Sequence, residues 1–356
     1  MKNYFRRFTN WRTLVIESIK IGAILGLILG VWAYWYYRDH YKPNVKVDGA
    51  QVFLFVPTGA SFEQVLDSLR AMGMLVNEER FIRVAERRNY PERIRPGRYR
   101  LTDGMNNKTL VNKLQLGLQA PLRLTISGNI RTNERLAAIL ARYVEADSAR
   151  ILDALLDAEL VASHGFTPAT VKGMFIPNTY EVFWTVSPAG LLQRMKREYD
   201  SFWNASRREK AEALGMSPQE VVTLASIVYE ESLKNDEMPR VAGVYINRLR
   251  IRMLLQADPT LKYAAGDFAI RRVLNVHKLI DSPYNTYKYL GLPPGPICIP
   301  PPVAIDAVLN YERHDYLYFC ARPDFSGYHN FSRTLSQHNQ YAREYHQTLN
   351  RNRIFR

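Results

Sequence analysis

Charged residues stop at Lys20 and resume at Arg38. Between them, residues 21–37 read IGAILGLILGVWAYWYY without a single charge. Ile19 and the alkyl stems of Lys20 and Arg38 extend the run to the roughly 20 residues that a bilayer core requires. Trp32, Tyr34, Trp35, Tyr36 and Tyr37 crowd its C-terminal end, the depth at which amphipathic rings sit in a membrane. Cleaved leader peptides end on small residues instead, so the pattern predicts an uncleaved transmembrane helix over residues 19–38. Lys2, Arg6, Arg7, Arg12 and Lys20 precede the uncharged run. The positive-inside rule then predicts residues 1–18 in the cytoplasm and the rest of the chain outside the plasma (inner) membrane. No later run of this kind follows, so one span is expected.

Residues 39–50 are polar, include Pro43 and Gly49, and read as a linker. Val52–Val56 is a short β-rich run. Ser61 and Gln64 then form a capping box in front of FEQVLDSLRAMG, which ends at Gly73. Asn77 opens a second helix, EERFIRVAERRN, and Arg98–Leu101 after Pro96-Gly97 is a second strand. This strand–helix–helix–strand order over residues 51–120, with a short helix at 107–117, resembles a LysM-like unit, a fold associated with glycan binding. Leu122–Ser127 reads as a strand, Thr132–Val144 as a helix, and residues 121–170 as a connecting α/β segment. From about residue 171 the chain is denser in Pro, Gly and Tyr, as suits a cleft built from loops on a scaffold. The expected class is α+β: one transmembrane helix, a small βααβ unit and a larger mixed α+β catalytic domain at 171–350.

Composition changes the picture in two respects. The chain has 356 residues, 47% hydrophobic and 23% charged, which fits ordinary globular domains and excludes a mainly disordered chain. Its net charge is +14, of which +5 lies in residues 1–42. A basic balance asks for an anionic partner, and an extracytoplasmic location removes nucleic acid from the choices. Two cysteines, Cys298 and Cys320, leave open one disulfide or two buried thiols.

Candidate chemistry concentrates in Ser217–Ser232, SPQEVVTLASIVYEES. Ser217, Pro218 and Glu220 are a helix start, so Glu220 has a structural task. Val221, Leu224, Ala225 and Val228 form the buried stripe at helical spacing. On that wheel Glu230 falls opposite the stripe, on the wet face, while Glu231 falls at its margin. A carboxyl at an apolar margin has a raised pKa, which is what a general acid needs near neutral pH. The same position suits a helix-end glutamate paired with Arg240 or Arg248.

The following helix, read as Val241–Leu255, carries Asn247 and Arg248, which are substrate contacts or a helix-end polar cluster. Gln256 follows, and Asp258-Pro259 reads as an N-cap and N1 pair. Residues 282–301, SPYNTYKYLGLPPGPICIPP, form a rigid loop holding Tyr284, Asn285, Thr286 and Tyr287. Aromatic rings beside amides and hydroxyls suit sugar binding, and a packed structural loop fits equally. Tyr316–Cys320 reads as a strand. His329 and His338 have no third ligand at a recognisable spacing, so no metal is assigned. No nucleophile elbow, Walker loop or dinucleotide fingerprint occurs, and no cofactor is called for.

These segments together resemble the YceG-like family of membrane-anchored endolytic murein transglycosylases. LASIVYEES is similar to the family's LASIVEKE-type helix, and VAGVYINRL, LQADPT, YNTY, GLPPGPI, YLYF and a closing H-x-F…HN follow in family order. Aligning Ala225-Ser226-Ile227 puts the family's catalytic glutamate on Glu231. Two departures stand out. Tyr229 replaces the first acid of the family's E-K-E triplet, and the EG-x-x-x-P-D-T-Y block reads KGMFIPNTY, with Lys172 and Asn178 where acids are usual. The resemblance implies cleavage of the N-acetylmuramic acid–β-1,4–N-acetylglucosamine bond in nascent glycan strands, leaving 1,6-anhydro ends. It implies peptidoglycan strands, the bilayer and penicillin-binding synthases as partners. A water-using muramidase and a non-catalytic peptidoglycan-binding scaffold are the rival readings.

Overall fold

The computed structural model describes residues 5–47, 49, 51–270 and 273–351. Lys2 of the basic flank, and Asp48 and Ala50 of the expected linker, lie outside the described residues. The chain divides into two compact units, Met1–Leu122 with Phe183–Thr185, and Arg123–Val182 with Val186–Arg356.

The first unit begins with helix α1 (Phe5–Tyr41). Its stretch Trp11–Tyr41 is long and apolar enough to cross a membrane, and residues 11–37 are all exposed. That length and composition fit a transmembrane anchor. Strand β1 (Val52–Val56), helix α2 (Phe62–Ala71), helix α3 (Glu78–Arg87), strand β2 (Gly97–Leu101) and helix α4 (Asn107–Leu116) follow. The strand–helix–helix–strand order is the one that the periodicity predicts. β1 and β2 are antiparallel, from Val52 opposite Leu101 to Val56 opposite Gly97. Leu54, Val56, Tyr99, Leu69, Phe81, Val84 and Leu110 close the core beneath them.

The stretch read as a linker is in part built into this unit. Asp39 accepts two bonds from the Arg83 guanidinium at 3.0 and 3.2 Å, and its carbonyl accepts from Asn107 at 2.9 Å. Val45 and Val47 are buried, and Asn44 bonds both Asn77 and Asn107. Polar composition suggested a loose tether, but these groups find partners that hold them against the βααβ core.

The second unit holds strand β3 (Leu122–Ile126), helices α5 (Asn133–Leu140), α6 (Ser148–Leu156) and α7 (Ala158–Ser163), a 3₁₀ turn at Val171–Met174, and strand β4 (Asn178–Val182), which pairs with β3. Helices α8 (Pro188–Phe202), α9 (Ala205–Ala213), α10 (Pro218–Glu231), α11 (Met238–Arg250), α12 (Asp258–Ala265), α13 (Asn275–Lys278) and α14 (Pro302–Leu309) come next. Strands β5 (Tyr318–Ala321) and β6 (His329–Ser332) form a hairpin ahead of α15 (Leu335–Arg351). Most of the segment expected as a connector therefore lies inside this unit, where Leu136, Leu140, Ile151 and Leu155 are buried.

Helix α10 is the axis of the second unit. Ser217 and Glu220 make the predicted capping box, and Pro218 occupies the first turn. Val221 through Val228 are all buried, because α11 and α14 pack on the flanks of the apolar stripe. Ser226 is sealed in this interior. Its Oγ donates to the Thr223 carbonyl and accepts from the Ile297 amide at 3.0 Å, which keeps the Pro-rich loop on the helix.

Candidate active site

Glu231 is the last residue of α10. Its carboxyl stands at the negative end of a helix dipole and against an apolar margin, and both disfavour charge. It lies on the wall of a cavity of about 400 Å³. Burial, opposed by a hydrogen bond from Tyr245 and reinforced by the nearby Asp258 carboxylate, pushes its pKa up to about 7. The Tyr245 hydroxyl donates to Glu231 Oε1 at 2.9 Å. Tyr245 lies on α11 and is 1% exposed, so this bond is shielded from water.

The ion pair expected from the plain reading of Glu231 does not form. The Arg240 guanidinium goes to Glu312 at 2.9 Å. Arg248 spends its donors on the carbonyls of Leu317 at 2.6 Å and Leu255 at 2.7 Å. Glu230, one residue earlier, is not on a wet face. Arg131 grips it with two bonds of 2.9 Å and Asn129 adds a third at 2.6 Å. The segment after β3 covers that side of α10, which the wheel alone does not reveal. Adjacent glutamates thus sit in different states: Glu230 is gripped directly by an arginine, while Glu231 takes its hydrogen bond from Tyr245 and feels Lys262 and Arg248 only from farther off.

The opposite wall comes from the LQADPT segment. Gln256 and Asp258 line the cavity with Arg248, Tyr287 and Leu255. Gln256 adopts φ +48°, a left-handed conformation that non-glycine residues hold only where their surroundings enforce it. Here the enforcement comes from Thr286. Its carbonyl accepts from the Gln256 amide at 3.1 Å, and its hydroxyl accepts from the Ala257 amide at 3.0 Å. Asp258 is not the N-cap expected from the sequence. Ala257 takes that place, with no side-chain cap, because the Asp258 carboxylate accepts from the Tyr287 hydroxyl at 2.5 Å. The third wall is the β-hairpin and α15, through Tyr318, Phe319, His329 and His338.

A sequence profile of the YceG-like family matches residues 54–344. The chain belongs to the YceG-like family. A relative from Bacillus subtilis (strain 168), an endolytic murein transglycosylase, is 28% identical over 335 residues, covering 90% of this chain and 91% of that one. An endolytic murein transglycosylase of Streptococcus pneumoniae (strain ATCC BAA-255 / R6) is 25% identical over 324 residues; the match covers 82% of this chain and 58% of the longer streptococcal protein. The crystal structure of a YceG-like protein from Listeria monocytogenes superposes with a TM-score of 0.53 at 30% identity, covering 82% of this chain and 98% of that one.

Of the residues that the sequence of this YceG-like chain singles out, the cavity gathers Glu231, Arg248, Gln256, Asp258 and Tyr287. It does not gather Asn247, Tyr284, Asn285 or Thr286. Asn247 turns away, donating to the carbonyls of His314 and Tyr316 at 2.7 and 3.1 Å. Asn285 is fully buried and donates to the carbonyls of Lys278 and Ile280. Tyr284 packs on Tyr263, with ring centroids 4.5 Å apart. These side chains shape the loop that presents Tyr287 and Gln256, and polar composition cannot tell that task from contact with a ligand.

The sequence reading missed Tyr245 and Glu237. Tyr245 was legible: it sits at i+4 from Val241 and i−3 from Arg248, on the cavity face of α11. Glu237, 3% exposed, accepts from the His329 amide at 2.8 Å and faces His329 Nδ1 at 2.7 Å. His329 is therefore a wall residue with a carboxylate partner, and His338 stacks on Tyr318. Of the two departures from the family pattern, Lys172 is buried. Its amine donates to the Arg131 carbonyl at 3.1 Å and to the Tyr263 hydroxyl at 2.5 Å, and burial lowers its pKa to about 8. Asn178 is exposed at the start of β4, its side chain accepting from the Thr179 amide. Cys298 and Cys320 are both free.

Proposed function

We propose that this YceG-like protein is a membrane-anchored endolytic lytic transglycosylase of peptidoglycan, with Glu231 as both its acid and its base. The observation that carries the reading is the Glu231 carboxyl, hydrogen-bonded by Tyr245 on the wall of a polar and aromatic cavity, with burial raising its pKa to about 7. Such a group is protonated and deprotonated in turn close to neutral pH, as an acid that must later act as a base requires.

The steps balance on one carboxyl. Protonated Glu231 donates to the oxygen that links muramic acid to the next glucosamine. The C1–O bond breaks, and its electron pair stays on that leaving oxygen. The C6 hydroxyl of the same muramoyl residue attacks C1, and its proton passes to the Glu231 carboxylate. The new end is a 1,6-anhydro sugar, and no water is consumed. Arg248, Gln256, Asp258 and Tyr287 are the candidate groups for holding the sugars, with Tyr287 and Tyr318 offering rings to pyranose faces.

The anchor at residues 19–38 keeps the domain at the outer face of the plasma membrane, with residues 1–18 in the cytoplasm. There it works on nascent strands beside penicillin-binding synthases and terminates their elongation. The βααβ unit serves as a LysM-like glycan-binding module.

The test is mass spectrometry of fragments released from nascent glycan by the detergent-solubilised full chain and by its Glu231→Gln variant. Anhydro-ended fragments from the wild type alone are expected. Reducing ends would overturn the lytic reading. That second reading, a hydrolytic muramidase, is favoured by one observation: Asp258 lines the same cavity as Glu231, and hydrolytic glycosidases pair two carboxyl groups across the scissile bond. Absence of cleavage by a chain that still binds glycan would leave the scaffold role.

A further inference from the structure

A second cavity, of about 670 Å³, opens in the same unit beyond the end of the β-hairpin. Arg250, Arg313 and Arg333 line it, against a single carboxylate, Asp315. All three arginines are exposed. Arg333 stands 3.5 Å from Asp315, but both side chains are more than two-thirds exposed, so water weakens that pair. Two positive charges therefore remain in excess in one concave site.

The back wall of this cavity is pinned. His314 Nε2 bonds the Arg240 carbonyl at 2.9 Å, and Asn247 holds the His314 and Tyr316 carbonyls. Gly243 allows the close approach, since a methyl there would lie 2.5 Å from the Glu312 carbonyl oxygen. The arginines thus project from fixed backbone on α11, on the segment before β5 and on the residue after β6. Guanidinium groups held this way match carboxylates in a two-pronged geometry that ammonium groups do not.

The position of the cavity says which carboxylate. His329 lines the Glu231 cavity and Arg333 lines the basic one. Three residues, Asn330, Phe331 and Ser332, lie between them along β6, a rise of roughly 13 Å from His329 to Arg333. An extended tetrapeptide spans about the same distance, roughly 13 Å. We infer that the Arg250–Arg313–Arg333 cavity binds a carboxylate of the short peptide carried by the muramoyl residue whose glycosidic bond sits at Glu231. This rests on the function proposed above and adds to it a preference for strands that still bear their peptides.

The test separates the two. The Glu231→Gln full chain in detergent is titrated with a synthetic muramoyl tetrapeptide and with the same compound amidated at its carboxylates. The free acid is expected to bind about 10-fold more tightly, an advantage that an Arg313→Ala/Arg333→Ala double variant reduces to less than about 2-fold. Asp315→Asn, which removes the competing carboxylate, is expected to tighten binding about 3-fold, a gain that misfolding cannot mimic. Equal binding of acid and amide, or an unchanged gap in the double variant, overturns the inference. In a second arm the wild type is given peptide-bearing strands and strands stripped by an amidase. A higher kcat/KM on the former is expected. Failure to cut either strand, with the binding gap intact, would sink the transglycosylase reading and leave the carboxylate site standing.

Discussion

The hydroxyl of Tyr245 donates to Oε1 of Glu231 at 2.9 Å, and it is the strongest of the influences that favour charge on a carboxyl otherwise held neutral by burial. The balance leaves the pKa at about 7. If the acid form starts the reaction, kcat/KM on nascent glycan should be high below that value and fall as pH rises through about 7. Glu231→Gln keeps the shape and should lower the rate by roughly 10²–10⁴-fold at pH 6. A flat profile between pH 6 and 8, or residual activity within a few-fold of wild type, would remove Glu231 from the acid role.

Two neighbours should move the alkaline limb in opposite directions. Tyr245→Phe removes a bond that stabilises the carboxylate, so the limb should shift to higher pH. Asp258→Asn removes a negative charge that opposes ionisation, so it should shift to lower pH. Profiles of kcat/KM against pH for the two variants would decide it. Shifts of the same sign would contradict this balance of charges around Glu231.

The same carboxyl makes folding stability depend on pH. Its pKa is raised in the folded chain above the unfolded value of 4.5, so the folded state holds the proton more tightly. The resulting stabilisation is complete below pH 4.5 and is lost as pH rises through about 7. Glu231→Gln abolishes this dependence, since an amide does not titrate and can still accept from Tyr245. Relative to wild type, the variant should become more stable between pH 5 and pH 8, by at most roughly 3 kcal/mol. Denaturation midpoints of the full chain in one detergent at the two pH values are the measurement. A difference that does not grow with pH would show that the carboxyl is solvated.

Much of this was legible in the sequence because it rests on local rules. The apolar run before Arg38, the capping boxes at Ser61 and Ser217, and the asparagine cap at Asn77 depend on neighbours within a turn, and each appears where the pattern puts it. The margin position of Glu231 is equally local. What escaped depends on segments far apart in sequence. Glu230 looked wet because nothing local announces Arg131, 99 residues earlier. Asp258 looked like a cap because Tyr287, 29 residues later, is invisible to a helix-start rule. Asn285 and Thr286 looked like sugar contacts because amides and hydroxyls serve loops and ligands with the same atoms.

Glu237 is the strongest case of such a distant constraint, and it carries the last prediction. It lies just ahead of α11 and is 3% exposed. It accepts from the His329 amide at 2.8 Å, meets His329 Nδ1 at 2.7 Å, and receives the Ser232 hydroxyl at 3.3 Å. One carboxylate thereby ties the segment that follows Glu231 to the β-hairpin wall of the cavity. Glu237→Ala strands three buried polar groups and should cost about 2–5 kcal/mol of stability. Glu237→Gln can still accept from the His329 amide and should cost less. Because His329 touches the cavity, both variants should raise KM more than they lower kcat. Thermal midpoints and steady-state kinetics of the two variants test this together. An unaltered midpoint in Glu237→Ala would mean that the hairpin is held by its apolar contacts alone, Phe319 against Tyr245 among them.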